Sequence, residues 1–451
     1  MKKGSNHKST SLTNKDKLYF ENIGVNTKNK QFKRFLNAGL LEIKDEQFAL
    51  EVRKYWKDNY NKDIDPTLHL AFMNLTGNKD TRIVPSPEMW NEIVPFFNDM
   101  NIRIGYSDKN IYDKLINPSN SVDTVLKRIR GHYFDSENNI IDVTNVYSLL
   151  LNIQDDLIIK PSDNDNGIGI AKLKYNNNQL YLDNNLATIC DLEKIYGFNF
   201  IVQKVIKQHP VMAAPHPSSV NTLRLITLRW KNEIKFLLGF ARFGANNDIK
   251  DHTHSGGVAL GFSDSGEFMD YTIDANCFVH THHPTTNYDF TNKAQIPNFE
   301  KIKKYIIGLH KKILHHDYVS WDIAVGIDGE PIFIEANFRG PSWRYQLASQ
   351  KPLFGDMTEE ILQYVSKELA ENKFDRNVKS QMPKKLLKKK NSKIKKLEYK
   401  NNKLAVKLNN AEIKYKELEN KLELTEYKYE QSRSWRYTAP FRKLISTFKR
   451  G

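Results

Sequence analysis

The sequence predicts an α+β fold with a helical N-terminal region, a sheet-rich central part and a C-terminal coiled-coil helix. Three observations predict it. Apolar residues recur at helical intervals from about Lys28 to Lys62, short apolar runs broken by Asn, Asp and Gly fill Asp155 to Gly340, and a heptad pattern begins beyond Lys384.

Taken in order, residues 1–27 are polar and are expected to be disordered. They hold no apolar stretch of the length that a signal peptide or membrane helix needs. Residues 28–154 are expected to be helical or mixed. Phe32, Phe35, Leu36 and Leu40 form one helical stripe, Phe48, Val52, Tyr55 and Trp56 another, with Gly39 as a break between them. PSPEMWNEIVPFFNDM then opens on Ser and Pro entry signals. Residues 155–375 are expected to form one domain. DLIIKP, IGIAKL, FIVQKVI, NTLRLITLRW, IKFLLGFARFG, YVSWDIAVGID and PIFIEANF read as strands, and PNFEKIKKYIIGLHKKILHH and Asp356 to Glu371 as helices.

In residues 384–431, Ile394, Leu397, Asn401, Leu404, Leu408, Ala411, Tyr415, Leu418, Leu422, Thr425 and Tyr429 alternate spacings of three and four. Such a stripe stays on one helix face and calls for a partner helix, a second copy or a glycosyltransferase; a lone solvated helix is the alternative. Residues 432–451 interleave Trp435, Tyr437, Phe441, Leu444, Ile445 and Phe448 with Arg and Lys, the pattern of a segment lying on an anionic membrane surface.

The formal charge of +15 suggests a nucleic-acid binder until it is located. The 22 Lys/Arg and 7 Asp/Glu from Lys379 onward account for all of it, and residues 1–378 hold 46 groups of each sign. Basicity is thus a property of the tail, and no nucleic-acid partner is expected of the globular part. Two cysteines, Cys190 and Cys277, are too few for a disulfide framework, which suits a cytoplasmic protein, with the tail at the inner face of the cytoplasmic membrane.

The chemistry concentrates in YVSWDIAVGIDGEPIFIEANFRG. A two-residue turn at Asp328-Gly329 would pair Asp322 with Glu335 and Ser320 with Asn337 on one face. Cross-strand Cβ atoms lie roughly 5 Å apart, so two facing carboxylates are destabilising unless something cationic lies between them. A divalent ion would supply that, and Asp, Glu and Asn oxygens suit magnesium; an exposed face pointing to water is the alternative. In DLIIKPSDNDNGIGIAKL, Lys160 ends a strand before a glycine-rich loop that would admit phosphate oxygens, although taken alone the segment reads better as an ordinary hairpin turn. No GxxxxGK[ST] loop is present. Arg224 lies on an apolar strand face with Ile226 and Leu228, and Arg242 is placed similarly; each needs an acidic partner, a ligand phosphate or a structural carboxylate. His252 and His254, and the HTHHP set His280, His282 and His283, bind substrate, cap loops or hold a metal.

In this order these elements resemble the ATP-grasp fold, with its D-x12-E-x-N metal signature. SDKNIYDKL, KPSDNDNGIGI, SSVNTLRLITL, SGGVALGF and IFIEANFRGP resemble more closely the sugar-transfer-associated ATP-grasp proteins of bacterial surface polysaccharide synthesis, over about Tyr55 to Glu371. The resemblance implies ATP and Mg2+ as cofactors. Lys109 and Lys160 would hold phosphates, Gly167 and Gly169 the lid, and Gln203, Lys204 and Val205 the adenine edge. Gln203 stands near where many relatives have an acidic group, so His209 would reach the ribose. Asp322, Glu335 and Asn337 would bind magnesium, and Arg224, Arg242 and Arg339 would act on the transferred phosphoryl group. It further implies a carboxylate–amine ligase working through an acyl phosphate on a small-molecule or glycan-precursor substrate. A kinase acting on a sugar hydroxyl, or an inactive scaffold, are the other readings.

Overall fold

The computed structural model describes residues 12–153, 156–163, 169–176, 179–246, 256–340, 342–371, 381–430 and 433–448. The chain forms two compact units, residues 1–187 with 198–386, and residues 188–197 with 387–451.

The first unit opens with helices whose ends are set by side-chain caps. Thr13, Asn29 and Asp45 accept backbone N–H bonds at the starts of Asn14–Asn22, Lys30–Asn37 and Glu46–Tyr60. This corrects the expected disorder of residues 1–27 for the described part, because Phe20, Ile23 and Val25 are buried. A helix needs only one apolar stripe to be fixed, so a polar average hides it. Thr67–Thr76 is buried nearly all round.

Two antiparallel sheets follow. The eight-stranded sheet contains β1 (Thr124–Ile129), β2 (His132–Phe134), β3 (Ile140–Ile141), β4 (Leu157–Pro161), β5 (Ala171–Asn176), β6 (Gln179–Leu182), β7 (Asn185–Ala187) and β8 (Phe200–Lys204), in the order β3-β2-β1-β8-β4-β5-β6-β7. The expected domain boundary at residue 154 is therefore displaced: β1 pairs directly with β8, so three strands from the helical or mixed region complete the same sheet.

The seven-stranded sheet contains β9 (Thr222–Trp230), β10 (Glu233–Phe243), β11 (Val258–Phe262), β12 (Phe268–Ile273), β13 (Val279–His280), β14 (Tyr318–Val325) and β15 (Pro331–Asn337), in the order β13-β12-β11-β10-β9-β14-β15. Its two faces bury different cores. Ile226, Leu228, Phe240 and Tyr318 join the N-terminal helices and Trp343 and Tyr345 of the helix Ser342–Ser349. Leu223, Leu225, Trp321 and Ile323 join the helix Phe299–His310. The period-2 alternation of strands produces this division, and it assigns Arg224, Arg242 and Asp322 to the first face.

In the second unit a capping box of Thr188 and Asp191 starts the helix Ile189–Tyr196. Tyr196 packs edge-on against Tyr399 of the helix Gln381–Glu430, and Asn402 Nδ2 donates to the Lys194 carbonyl at 2.8 Å. The heptad stripe is solvent-facing in the single chain, with Leu404 and Leu408 64% and 63% exposed. The helix Arg433–Phe448 exposes Tyr437, Phe441 and Ile445, spaced four apart on one face. Among the described residues no helix is long and apolar enough to cross a membrane.

Candidate functional site

The site is built on four adjacent strands, β10, β9, β14 and β15. Arg224 of β9 is opposite Asp322 of β14, which is opposite Glu335 of β15; Ser320 is opposite Asn337. The predicted pairing is present, but the turn that was to produce it is not. Gly326 N–H donates to the Glu330 carbonyl at 2.8 Å and Gly329 N–H to the Gly326 carbonyl at 2.8 Å, closing a three-residue loop in which Gly329 has φ +80°. That loop shifts the register by one residue. A bulge between Asp322 and Ile323 shifts it back, with Ile334 the extra residue. The two irregularities cancel, and Asp322 meets Glu335.

The expected charge logic also changes. Arg224 Nη2 donates to Asp322 Oδ2 at 2.7 Å and Arg242 Nη1 to the same oxygen at 3.0 Å, while Arg224 Nε closes on Oδ1. Lys109 Nζ lies 3.4 Å from Glu335 Oε2, and Asn337 Nδ2 donates to Glu335 Oε1 at 3.2 Å. Arg224 and Arg242 thus offset the Asp322 carboxylate, and Lys109 that of Glu335. Burial alone would raise the Glu335 pKa, but Lys109 above all, then a hydrogen bond with Asp322, then Arg224 and Lys160, hold it well below the usual carboxylate range.

Two lysines come from the end of β4 in the other sheet and from the turn beside it. Asp108 caps the short turn Lys109–Ile111, and Lys109 N–H donates to the Ser162 carbonyl at 3.0 Å, which fixes Lys109 beside the end of β4. Lys160 is on β4, 9% exposed, and its ammonium is pushed down to about 8, first by burial and then by Lys109. Two near-dry ammonium groups side by side suit a multiply charged phosphate chain. Two carboxylates and an amide, whose N–H is turned to Glu335 and whose oxygen is then the ligand atom, suit a hard cation that completes its shell with phosphate and water. Among the described residues no cluster of three or more His, Cys, Asp or Glu forms a complete protein cage.

Other expected residues are placed differently. Gly169 has φ +81°, whereas Gly167, His252 and His254 lie outside the described residues. Gln203 Nε2 donates to Thr124 Oγ1 at 3.1 Å, and the Lys204 and Val205 N–H groups donate to the Asp123 and Asp156 carbonyls, so a base would have to displace those bonds to use them. His209 caps the turn Pro210–Ala213, with Nδ1 accepting from Val211 N–H. Arg339 stacks on Trp90 at 4.7 Å instead of joining Arg224 and Arg242, since β15 ends at Asn337 and the chain turns. The HTHHP set disperses: His280 faces Asp274, His282 faces Asp289, and His283 is buried against the Gly244 carbonyl. A metal set there is not supported.

Tyr345 is a site residue that motif spacing did not reveal. Its hydroxyl accepts from Arg224 Nη1 at 3.4 Å and lies 3.0 Å from Ser320 Oγ. A Cβ at residue 340 would collide with that hydroxyl, which explains Gly340 in FRGPSWRY. The glycine was the available signal.

Solved structures with similarity include the D-alanine–D-alanine ligase of Bacillus anthracis (13% identity, 60% of this chain and 70% of that one, TM-score 0.31). The L-amino acid ligase of Bacillus licheniformis follows at 13%, 58%, 48% and 0.30, and the D-alanine–D-alanine ligase of Helicobacter pylori at 14%, 60%, 60% and 0.32. The match to the latter two thus spans less than two thirds of their length, and likenesses this weak do not bear on site or reaction. No curated protein matches the chain. Residues 88–361, well over half of the sequence, match the family described as sugar-transfer associated ATP-grasp. That segment contains both site lysines, both site arginines and the paired carboxylates with Asn337, and the chain belongs to the sugar-transfer associated ATP-grasp family.

Proposed function

We propose that this protein is a carboxylate–amine ligase that decorates a glycan precursor in bacterial surface polysaccharide synthesis. As an ATP-grasp protein it is an enzyme that uses ATP and Mg2+. The observation that carries the finer reading is the reach of Lys109 from the β4 end to Glu335, which gathers Lys160, Asp322, Asn337, Arg224 and Arg242 into one site.

In the proposed reaction a substrate carboxylate oxygen bonds to the γ-phosphorus as the bond to the β,γ-bridging oxygen breaks, and ADP leaves. An amine nitrogen then bonds to the acyl carbon, phosphate leaves, and the nitrogen gives up a proton to solvent. Lys109 and Lys160 orient the phosphates; Arg224 and Arg242 meet charge on the phosphoryl group in flight. Bound at Asp322, Glu335 and Asn337, magnesium would supply further charge neutralisation.

The test is product analysis. With a carboxylate substrate and hydroxylamine in place of the amine, a hydroxamate should accumulate with ADP and phosphate. Recovery of a phosphorylated sugar and no hydroxamate would replace the ligase by a kinase. For the second unit we propose self-association or docking of a glycosyltransferase through the heptad stripe, and contact of Arg433–Phe448 with the inner face of the cytoplasmic membrane; the exposed stripe and the Tyr437, Phe441, Ile445 face support this.

A further inference from the structure

The helix Gln381–Glu430 carries a second pattern beside its apolar stripe. With Ile394 at position a of a heptad abcdefg, Leu408 and Leu422 fall at a and Leu397, Leu404 and Leu418 at d, which is the stripe itself. The rows flanking it are each of one sign. Position g is Lys400, Lys407, Lys414 and Lys421 in successive heptads, and position e is Ala405, Glu412, Glu419 and Glu426. All of these side chains face solvent in the single chain. The helix Ile189–Tyr196 meets this helix through Tyr399 and Asn402, at positions f and b, on the side turned away from the stripe. It therefore leaves the stripe and both charged rows open.

Segregating the signs in this way does little for a lone helix. A g lysine and the following e glutamate are five residues apart, outside the i,i+3 and i,i+4 spacings at which side chains of one helix meet. They meet across two chains. In a parallel, in-register pair each g residue faces the e residue of the next heptad on the other helix, so Lys407 faces Glu412, Lys414 faces Glu419 and Lys421 faces Glu426, and two-fold symmetry repeats each contact. In an antiparallel pair g faces g and e faces e, which sets lysine against lysine and glutamate against glutamate. Asn401 adds a second constraint, because at position a its amide is buried by pairing and finds an equal partner only when the two copies are in register.

We propose that the second unit forms a parallel, in-register two-stranded coiled coil with a second copy of this chain. This rests on the reading of the heptad stripe as an interface, and commits it to one partner, one direction and one register. Both copies of Arg433–Phe448 then follow the same end of the coil, whereas an antiparallel pair would part them by on the order of 50 Å. Delivered together, two weak surface-binding segments hold one membrane with avidity.

The experiment is sedimentation equilibrium of the full chain at low and at high salt. It compares the parent, a triple change of the g row (Lys407→Glu, Lys414→Glu, Lys421→Glu), a triple change of the e row (Glu412→Lys, Glu419→Lys, Glu426→Lys) and all six changes together. The parent should be a dimer. Each triple change should raise the dimer dissociation constant at least about tenfold at low salt and less at high salt, and the six together should restore it to within about threefold, because every contact is then reversed in sign. ATP turnover should equal the parent's throughout. Leu397→Cys and Thr425→Cys, each alone and with the exposed Cys190→Ser, should oxidise to a covalent dimer, since the register places each residue beside its own copy. Leu404→Gln with Leu418→Gln, which leaves the charge unaltered, should weaken co-sedimentation with phosphatidylglycerol vesicles; equal co-sedimentation overturns the shared delivery. A dimer indifferent to both triple changes, a loss that the six together do not rescue, or cysteines that link only when the two variants are mixed overturns the parallel arrangement and leaves self-association standing. A monomeric parent, or one of three or more chains, overturns the two-stranded pairing itself.

Discussion

At the residue scale, Asp322 and Lys160 show opposite kinds of buried charge. Asp322 is compensated by Arg224 and Arg242, and removing its charge leaves two guanidiniums in a dry place. Breaking such a pair from one side costs on the order of 3 kcal/mol. Asp322→Asn should therefore lower the ligand-free melting temperature as well as abolish ATP turnover, and a melt unchanged from the parent would show that the arginines find another counter-charge. Lys160 lacks such compensation, and its pKa falls from the ordinary 10.5 to about 8. Between those values the unfolded chain binds more protons than the folded one, so the contribution of this group to stability rises as pH increases from about 8 to about 10.5. Denaturant midpoints across that range should show the rise in the parent and a flatter profile in Lys160→Met. Equal profiles would place the titration elsewhere.

At the scale of elements, the β14–β15 hairpin positions the proposed magnesium ligands through two compensating irregularities. Deleting Ile334 removes the bulge, and in the register of the three-residue loop the residue after Phe333 lies opposite Asp322, so Glu335 should still meet Asp322 and Asn337 should still meet Ser320. Retained turnover in a chain that still folds is the expected outcome; loss of turnover would mean that the bulge itself aims the Glu335 side chain. Gly329→Ala probes the other end. Its φ of +80° is strained for an L-residue, and the added Cβ would approach Asn298 Nδ2 to 2.9 Å, where that amide donates to the Gly329 carbonyl. A loss of about 1–2 kcal/mol with kcat unchanged is expected, measurable by thermal unfolding and steady-state kinetics. A fall in kcat would show that the turn, too, positions the site.

At the scale of the whole molecule, the second unit leaves a long apolar stripe in water. Leu404 and Leu418 occupy the same heptad position and are 64% and 57% exposed, which a partner helix would bury. The full chain should sediment as an oligomer, and the double variant Leu404→Glu, Leu418→Glu as a monomer with the parent's ATP turnover. A monomeric parent would turn attention to a glycosyltransferase partner. Phe441→Glu should separately abolish co-sedimentation with phosphatidylglycerol vesicles, if the last helix lies on an anionic surface.

Short-range periodicity was enough for the α+β class, most strands of the seven-stranded sheet and the heptad helix. The pairing of Asp322 with Glu335 was expected from a two-residue turn that is absent, and it is present because a three-residue loop and a bulge cancel. Only tertiary structure decided that β1 to β3 join the strands after residue 154, that Phe20 anchors a helix in a polar run, and that Arg224 and Arg242 converge on Asp322. It also decided that Arg339 leaves for Trp90 while Arg34, from more than three hundred residues away in the chain, stands beside Arg344. The physical reason is common to all of these: spacing reports which side of an element a residue occupies, whereas the partner that waits on that side is chosen by long-range packing, to which local pattern is blind.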